Sequence, residues 1–468
     1  MKKETRKIGK EPKKIVLSLS KENIILRAII AGGCLFLGVV LIVNGCSKML
    51  NKSQYLVLDY PDFEDENGVT STLFDGNVDL NYYYLMGEEE DSRSIVMNKI
   101  DTILNDNMVN IHKLCDYNQL YKDGKEYIHN LKYINDNPNT YIKVSDTLYS
   151  LLKEADNLRN YTNGKYSIFA GNLYNIWSDI FSNFGVYGND DSNILLLDPM
   201  FDESKKELID RTVLAINDTS TYFEFNDETK EIKYNVSISN KDYITLDFGL
   251  LETTFYVDTL KKLLLNEGLD SGYISTLDGM VATLGTNKNN VYWGFDSYSY
   301  QTIFNVDFST IYDYSFTFLG QVNYMSFNPL MNIKNHSYAS KNYYFFNYQD
   351  YYYVRSMILD STTGYSSDTT HSSFTFSDKS SLCEQLKDNY NLFFNDFKYN
   401  NDYLLKYEDN KNYGAIVMFN NGNTNIEFNG NTTMLYSKLV DSYFDEEYIP
   451  YVELSDVVKA KIVATKGE

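Results

Sequence analysis

The sequence predicts an α+β fold in a single large domain. Apolar residues recur at helical spacing through the first half of the chain, from residue 92 to 184. From residue 222 onward short β-type runs dominate, broken by two further helical patterns. Within the second regime, TLDFGLLETTFYVDTLKKLLLNEG (245–268) reads as a strand end, a turn carrying Asp247 and Gly249, and a helix stopped at Gly268. A carboxylate at such a turn lies where the first N–H groups of a helix point outward, a natural place to hold a nucleotide.

Composition bounds the function classes. The chain has 468 residues, enough to bury a sizeable core, and 43% of them are hydrophobic. Its 43 Tyr and 27 Phe stand against 2 Trp and 6 Pro. A net charge of −22 argues against nucleic acid as a partner, because phosphate contacts need clustered Lys and Arg. The 4 His (His112, His129, His336, His371) fall in no triad or metal-ligand spacing, and the 4 Cys show no C-x-x-C. Neither G-x-x-x-x-G-K-[ST] nor G-x-G-x-x-G occurs. Zinc sites and the common nucleotide loops are therefore unsupported.

Residues 1–23 form a basic tail, expected in the cytoplasm, with Lys2, Lys3, Arg6, Lys7, Lys10, Lys13, Lys14 and Lys21 against Glu4, Glu11 and Glu22. Residues 24–45 follow as the anchor or signal segment, with Ile24 to Val43 interrupted only by Arg27 near its start, and about 20 such residues suffice to span a bilayer. Arg27 can snorkel to the interface. Val43-Asn44-Gly45-Cys46 resembles a bacterial lipobox, so an uncleaved transmembrane anchor and a lipidated Cys46 both fit. Either places the folded part outside the cell membrane.

Residues 46–85 read as an acidic extracytoplasmic linker leading into a first strand, and 86–445 as the domain, with 446–468 as a C-terminal tail. Within the domain the first helix spans about 92–114, with Ile100, Ile103, Leu104, Ile111 and Leu114 on one face. The second spans 145–161: Ser145 is the N-cap, and Leu148, Leu151, Leu152, Ala155 and Leu158 line its apolar side. A third covers 172–184. Strands are expected in TYFEF, IKYNVSI and YITLDF between 221 and 248, with a helix at 255–267. Further strands fall at 271–275, 291–295, 302–306, 314–319, 342–346, 351–359, 372–377 and 415–419, and a last helix at 380–396. Cys115 and Cys383, the two cysteines of the exported part, are expected as buried free thiols.

The 245–258 stretch resembles the D-x-G-x-I-A-K-G-Y-A-x-D signature of the ApbE family, flavin transferases that attach FMN from FAD to other proteins; Asp247, Gly249 and Asp258 keep its pattern. The resemblance extends to an L-x-x-I-N-like segment at 131–135. It continues through Thr162, Gly164, Tyr166, Ser167, Gly171, Leu173 and Trp177, then LDGMVATLG (277–285) with Trp293. It implies a single ApbE-like domain that takes FAD as substrate and delivers FMN to a Thr or Ser of an acceptor flavoprotein, releasing AMP. On the same basis Asp247, Lys165, Tyr166, Ser167, Thr253, Asp258 and Gly279 would border the nucleotide. The Leu250 carbonyl, Glu384 and Asp388 would hold Mg²⁺, the last two lying four apart on one helix face.

Two departures bear on activity. The family's signature Lys is Thr253, which removes a fixed positive charge. The family's H-I-x-D-P-x-T-G is MILDSTTG (357–364), with Met357 at the His position and Asp360, Thr363 and Gly364 kept. A thioether neither accepts nor delivers a proton, so a base is lost there. The resemblance therefore implies either a weakened Mg²⁺-dependent FMN transferase or a non-catalytic flavin- or protein-binding relative on the cell surface. It assigns no catalytic residue.

Overall fold

The computed structural model describes residues 53–58, 62–64, 70–73, 78–85, 90–187, 196–276, 279–284, 293–300, 311–318, 323–327, 343–348, 351–396, 399–400, 403, 413–420 and 432–436. The basic tail, the apolar segment, Cys46, the expected strand at 302–306 and the 446–468 tail lie outside these residues. Among the described residues, no helix is long and apolar enough to cross a membrane. The chain divides into two compact units, Met1–Gln54 with Tyr84–Glu89 and Tyr55–Tyr83 with Glu90–Glu468, and the second holds nearly every described residue.

The stretch expected as a linker carries strands: β1 (Ser53–Leu58), β2 (Asp62–Glu64), β3 (Thr70–Thr72) and β4 (Val78–Leu85). Its apolar residues find partners on a sheet, which acidic composition does not reveal: Val78 and Leu80 are buried. The first helix is α1 (Glu90–Ile103), continued by a π-helical turn (Leu104–Met108) and α2 (Val109–Cys115). A small hairpin, β5 (Lys122–Asp123) and β6 (Glu126–Tyr127), leads to α3 (Leu131–Asp136) and β7 (Tyr141–Lys143). Helix α4 (Asp146–Tyr161) starts as expected, with the Ser145 hydroxyl accepting from Leu148 N–H at 3.3 Å. Helix α5 (Gly171–Tyr187) follows.

Helix α6 (Glu203–Ile216) has no counterpart in the sequence reading. Its inward face is only Ile209, Thr212, Ala215 and Ile216, while Leu208 and Leu214 face solvent and blur the period. The Asp202 carboxylate caps it, accepting from Ser204 N–H (3.0 Å) and Lys205 N–H (3.3 Å). Strands β8 (Tyr222–Asn226) and β9 (Glu231–Asn235) form a three-stranded antiparallel sheet with β7 in the order β7-β9-β8. YITLDF is not a regular strand. Lys241–Tyr243 is a 3₁₀ turn and Thr245 makes one isolated parallel bridge to Ala170.

The signature helix α7 spans Leu250–Asn266, five residues longer at its start than the spacing predicts. Then come β10 (Gly272–Thr276), β11 (Met280–Leu284), β12 (Trp293–Tyr300), β13 (Ile311–Phe318), β14 (Asn323–Phe327), β15 (Tyr343–Tyr348), β16 (Tyr351–Ser356) and β17 (Thr370–Ser377). Helix α8 (Leu382–Phe393), β18 (Tyr413–Asn420) and β19 (Thr432–Tyr436) end the described chain. Among the described residues the main sheet has eight strands in the order β1-β4-β10-β11-β14-β17-β18-β19. From β4 to β19 the neighbouring strands run antiparallel, for example with Ile274 opposite both Leu80 and Ala282.

Helices α7 and α8 pack on each other and on β10, β11, β14 and β17. The α8–sheet seam is polar inside: Ser373 Oγ donates to Asn389 Oδ1 (2.9 Å), Thr375 Oγ1 donates to Gln385 Oε1 (3.0 Å), and Gln385 Nε2 donates to Asn323 O (3.0 Å). Buried amides satisfied in this way fix one register of helix on sheet, because a slip would leave several of them without partners.

Candidate functional site

The site is built where three separated stretches of chain are stitched together by backbone bonds. Asp247 N–H donates to Ile168 O at 2.9 Å, and Gly171 N–H to Thr245 O at 2.9 Å. Asn135 clamps the same strand from the other side, accepting from Leu246 N–H (2.8 Å) and donating to Leu246 O (3.1 Å). Gly171 is required at this crossing: a Cβ there would lie 2.7 Å from Thr245 O and 2.8 Å from Asp247 Cβ. The third stretch, 357–364, joins through Ser361 N–H, which donates to Lys165 O at 2.8 Å, and through Trp177 Nε1, which donates to Gly364 O at 2.8 Å. Gly364 has φ 84°, and a Cβ on it would come within 2.5 Å of Ile209 on α6.

At the centre Asp247 is buried, and one carboxylate oxygen accepts from Gly249 N–H at 2.8 Å. Burial pushes its carboxyl up to about 6, against the opposing pull of that N–H. Gly249, the N-cap of α7, lies against the Tyr174 ring. The charge of Asp247 in turn raises Tyr174, Tyr166 and Tyr117, each already raised first by burial. Tyr166 is buried and its hydroxyl donates to Phe248 O at 3.1 Å; its ring meets Tyr390 edge-on at 5.6 Å. A carboxyl group in a wall of phenols can accept from, or when protonated donate to, the heteroatoms of a flat ring system.

The remaining expected contacts take separate places. The Ser167 hydroxyl is buried and accepts from Phe169 N–H (3.3 Å). Lys165 Nζ donates to Asn395 Oδ1 at 2.9 Å. Thr253 is half-buried in the first turn of α7. Gly279 (φ 91°) turns the chain between β10 and β11, and its carbonyl accepts from Ser326 N–H at 2.9 Å. Asp258 holds the start of α8: its two oxygens accept from Leu382 N–H and Cys383 N–H, 2.9 Å each.

The expected metal donors are engaged by other partners. Glu384 closes a capping box with Ser381, its carboxylate accepting from Ser381 N–H at 3.0 Å. Asp388 accepts from the Tyr403 hydroxyl. The side of α8 that meets α7 and the tyrosines carries Cys383 and Tyr390 instead. Leu250 begins α7, where its carbonyl is directed along the helix. Among the described residues, no group of three or more His, Cys, Asp or Glu could hold a metal ion.

Sequence reasoning missed a cavity of about 540 Å³ beside the 357–364 turn, walled by Lys206, Arg355, Asp360, Thr363, Tyr365 and Asp368 among others. Arg355 is buried there, donating to Asp198 (3.0 Å) and Asp368 (3.1 Å), while Tyr344 donates to the same Asp198 at 2.6 Å. Only the kept Asp360-x-x-Thr363 pattern pointed toward this place. Asp360 itself is tied up in the turn, accepting from Thr362 N–H (2.8 Å) and Thr362 Oγ1 (2.6 Å). Cys115 and Cys383 are free thiols as expected, Cys115 buried but Cys383 only half-buried; His129 stacks on Tyr133 and is bonded to Lys143 O at 2.7 Å.

Residues 100–299 match the family model described as ApbE family. Over these residues, less than half of its length, the chain is similar to the ApbE family. The matched span contains Thr162 to Trp177, the Asp247–Asp258 signature and Gly279; the 357–364 turn and α8 lie beyond it. Flavin transferase ApbE from Vibrio cholerae is similar in structure, with 13% identity and a TM-score of 0.50, covering 84% of this chain and 100% of its own. The ApbE protein from Thermotoga maritima is 14% identical (TM-score 0.49, covering 84% and 100%). The apo flavinyl transferase ApbE of Pseudomonas stutzeri is 12% identical (TM-score 0.49, covering 84% and 97%). At such identities the Vibrio likeness speaks for the fold alone. No curated protein matches the sequence.

Proposed function

We propose that this chain is an FAD:protein FMN transferase-like protein whose ApbE domain is held outside the cell membrane by its N-terminal segment. In the reaction the FMN phosphorus would form a bond to a Thr or Ser oxygen of an acceptor flavoprotein, the pyrophosphate bond of FAD would break, and AMP would leave with the electron pair. The observation that carries the reading is the stitching of the 162–171, 245–250 and 357–364 stretches through Ile168, Gly171 and Ser361. Asp247 with Tyr166 and Tyr174 would orient the flavin end. The cavity beside Asp360 and Thr363 has the size of small-molecule pockets. Arg355 there is already neutralised by Asp198 and Asp368, which leaves Lys206 to meet phosphate.

A second reading has its own support. Met357 and Thr253 stand where the resemblance implies a proton-transferring His and a phosphate-facing Lys, which favours a flavin- or protein-binding relative without turnover. Anchoring rests on the apolar 24–45 segment behind its basic tail, with lipidation of Cys46 as the other route.

The deciding experiment incubates the detergent-solubilised full chain with FAD, Mg²⁺ and a Thr-containing acceptor. Flavin fluorescence that stays with the acceptor after denaturing electrophoresis establishes transfer. FAD binding without it establishes the second reading, and absence of both removes the flavin assignment.

A further inference from the structure

We infer that this chain binds its flavin dinucleotide without a divalent cation, a statement that rests on the flavin reading above. The ground is which side chains α8 turns toward the site. At about 100° per residue, Cys383, Lys387 and Tyr390 share one side of α8, and Glu384 and Asp388 stand roughly 100° further round. The first side meets the rest of the site: Cys383 Sγ donates to Thr254 Oγ1 of α7 (3.3 Å), Lys387 Nζ pairs with Glu154 of α4 (2.7 Å), and Tyr390 packs on Tyr166.

None of these three is a hard oxygen anion of the kind Mg²⁺ takes. Lys387 holds the Glu154 carboxylate by its own ammonium, so a divalent cation placed on this side would compete with a fixed cation for that acid. The four acids of α7 and α8 are engaged. Asp258 gives both oxygens to the N-terminus of α8, Glu384 one to Ser381, and Asp388 one to Tyr403. The Glu252 carboxylate accepts from the Tyr256 hydroxyl at 2.5 Å. The positive end of α8 is thus met by a protein carboxylate.

Two measurements on the full chain in detergent test this. FAD fluorescence quenching is titrated in Mg²⁺ and in EDTA, and free Mn²⁺ is followed by its electron paramagnetic resonance signal as protein is added, with FAD alone as a control. The expected result is one FAD affinity in both buffers and no saturable Mn²⁺ uptake by the protein. An affinity weaker by about tenfold or more in EDTA overturns the inference while sustaining the flavin reading. Stoichiometric Mn²⁺ uptake that Glu384→Gln with Asp388→Asn abolishes overturns it as well. If FAD binds in neither buffer, the flavin reading fails, and the Mn²⁺ titration without FAD still decides the metal question.

Discussion

Asp258 and Cys383 lie 125 positions apart in sequence, and a 2.9 Å hydrogen bond from the Cys383 N–H to the Asp258 carboxylate joins them. The other Asp258 oxygen takes the Leu382 N–H, so the signature helix α7 caps α8 across the domain. The Asp of an apparent nucleotide signature thereby sets the position of the helix that carries Tyr390, the aromatic neighbour of Tyr166. Removing the carboxylate in Asp258→Ala leaves two N–H groups of α8 without their acceptor. The expected loss is about 1–3 kcal/mol of unfolding free energy, read from denaturant titration. Cys383 should also react faster with a thiol reagent, and unchanged stability and reactivity would refute the capping role.

Asp247 carries a pH signature. Its folded-state carboxyl is raised to about 6, so the native state holds this proton more tightly than the unfolded chain does. Its contribution is therefore most favourable below about pH 4 and is lost as pH rises through 6, by up to about 3 kcal/mol. Asp247→Asn keeps an acceptor for Gly249 N–H and should flatten that dependence, becoming relatively more stable above pH 6. Parallel pH curves for the two proteins would contradict the assignment.

Gly171→Ala places a methyl group 2.7 Å from Thr245 O and 2.8 Å from Asp247 Cβ. Pushing the two stretches apart should cost about 2 kcal/mol or more, read as a fall in Tm. Because the same contact seats Asp247, flavin affinity should fall together with stability.

The buried Arg355–Asp198 pair predicts a non-additive result. Arg355→Met strands Asp198 in the interior at a cost of roughly 3–5 kcal/mol. The double variant Arg355→Gln with Asp198→Asn, which leaves no bare charge on either residue, should be more stable than the Arg355→Met single variant. A double variant as unstable as the single would show that the charges are not what matters.

If the scaffold retains its ancestral geometry, Thr253→Lys with Met357→His should raise FMN transfer by about 10² or more, since a positioned base supplies that order of rate. Covalent flavin on the acceptor is the readout. Tight FAD binding with no gain in transfer would place the lost chemistry elsewhere.

Local periodicity located most of the elements. Ser145 and the five apolar residues behind it define α4 as the structure has it, because a cap and one apolar stripe suffice for an amphipathic helix. Helix α6 escaped because its exposed Leu208 and Leu214 hide the stripe that faces inward. The strands between 53 and 85 escaped because a short strand inside acidic sequence shows itself only through its neighbours in the sheet. Within the site, Asp247, Tyr166 and Gly171 were legible as members of sequence blocks, and their contacts with one another were not.

The order of sequence blocks by itself showed the likeness of the 100–299 region to the ApbE family and the departures at Thr253 and Met357, because residue identity and spacing are properties of the chain alone. Only the tertiary structure decided which carboxylates face the site. Asp258 turned to α8, and Glu384 and Asp388 fell on another side of that helix from Cys383 and Tyr390. Spacing of four places two acids on one face of a helix, but the packing of that helix against its neighbours chooses where the face points.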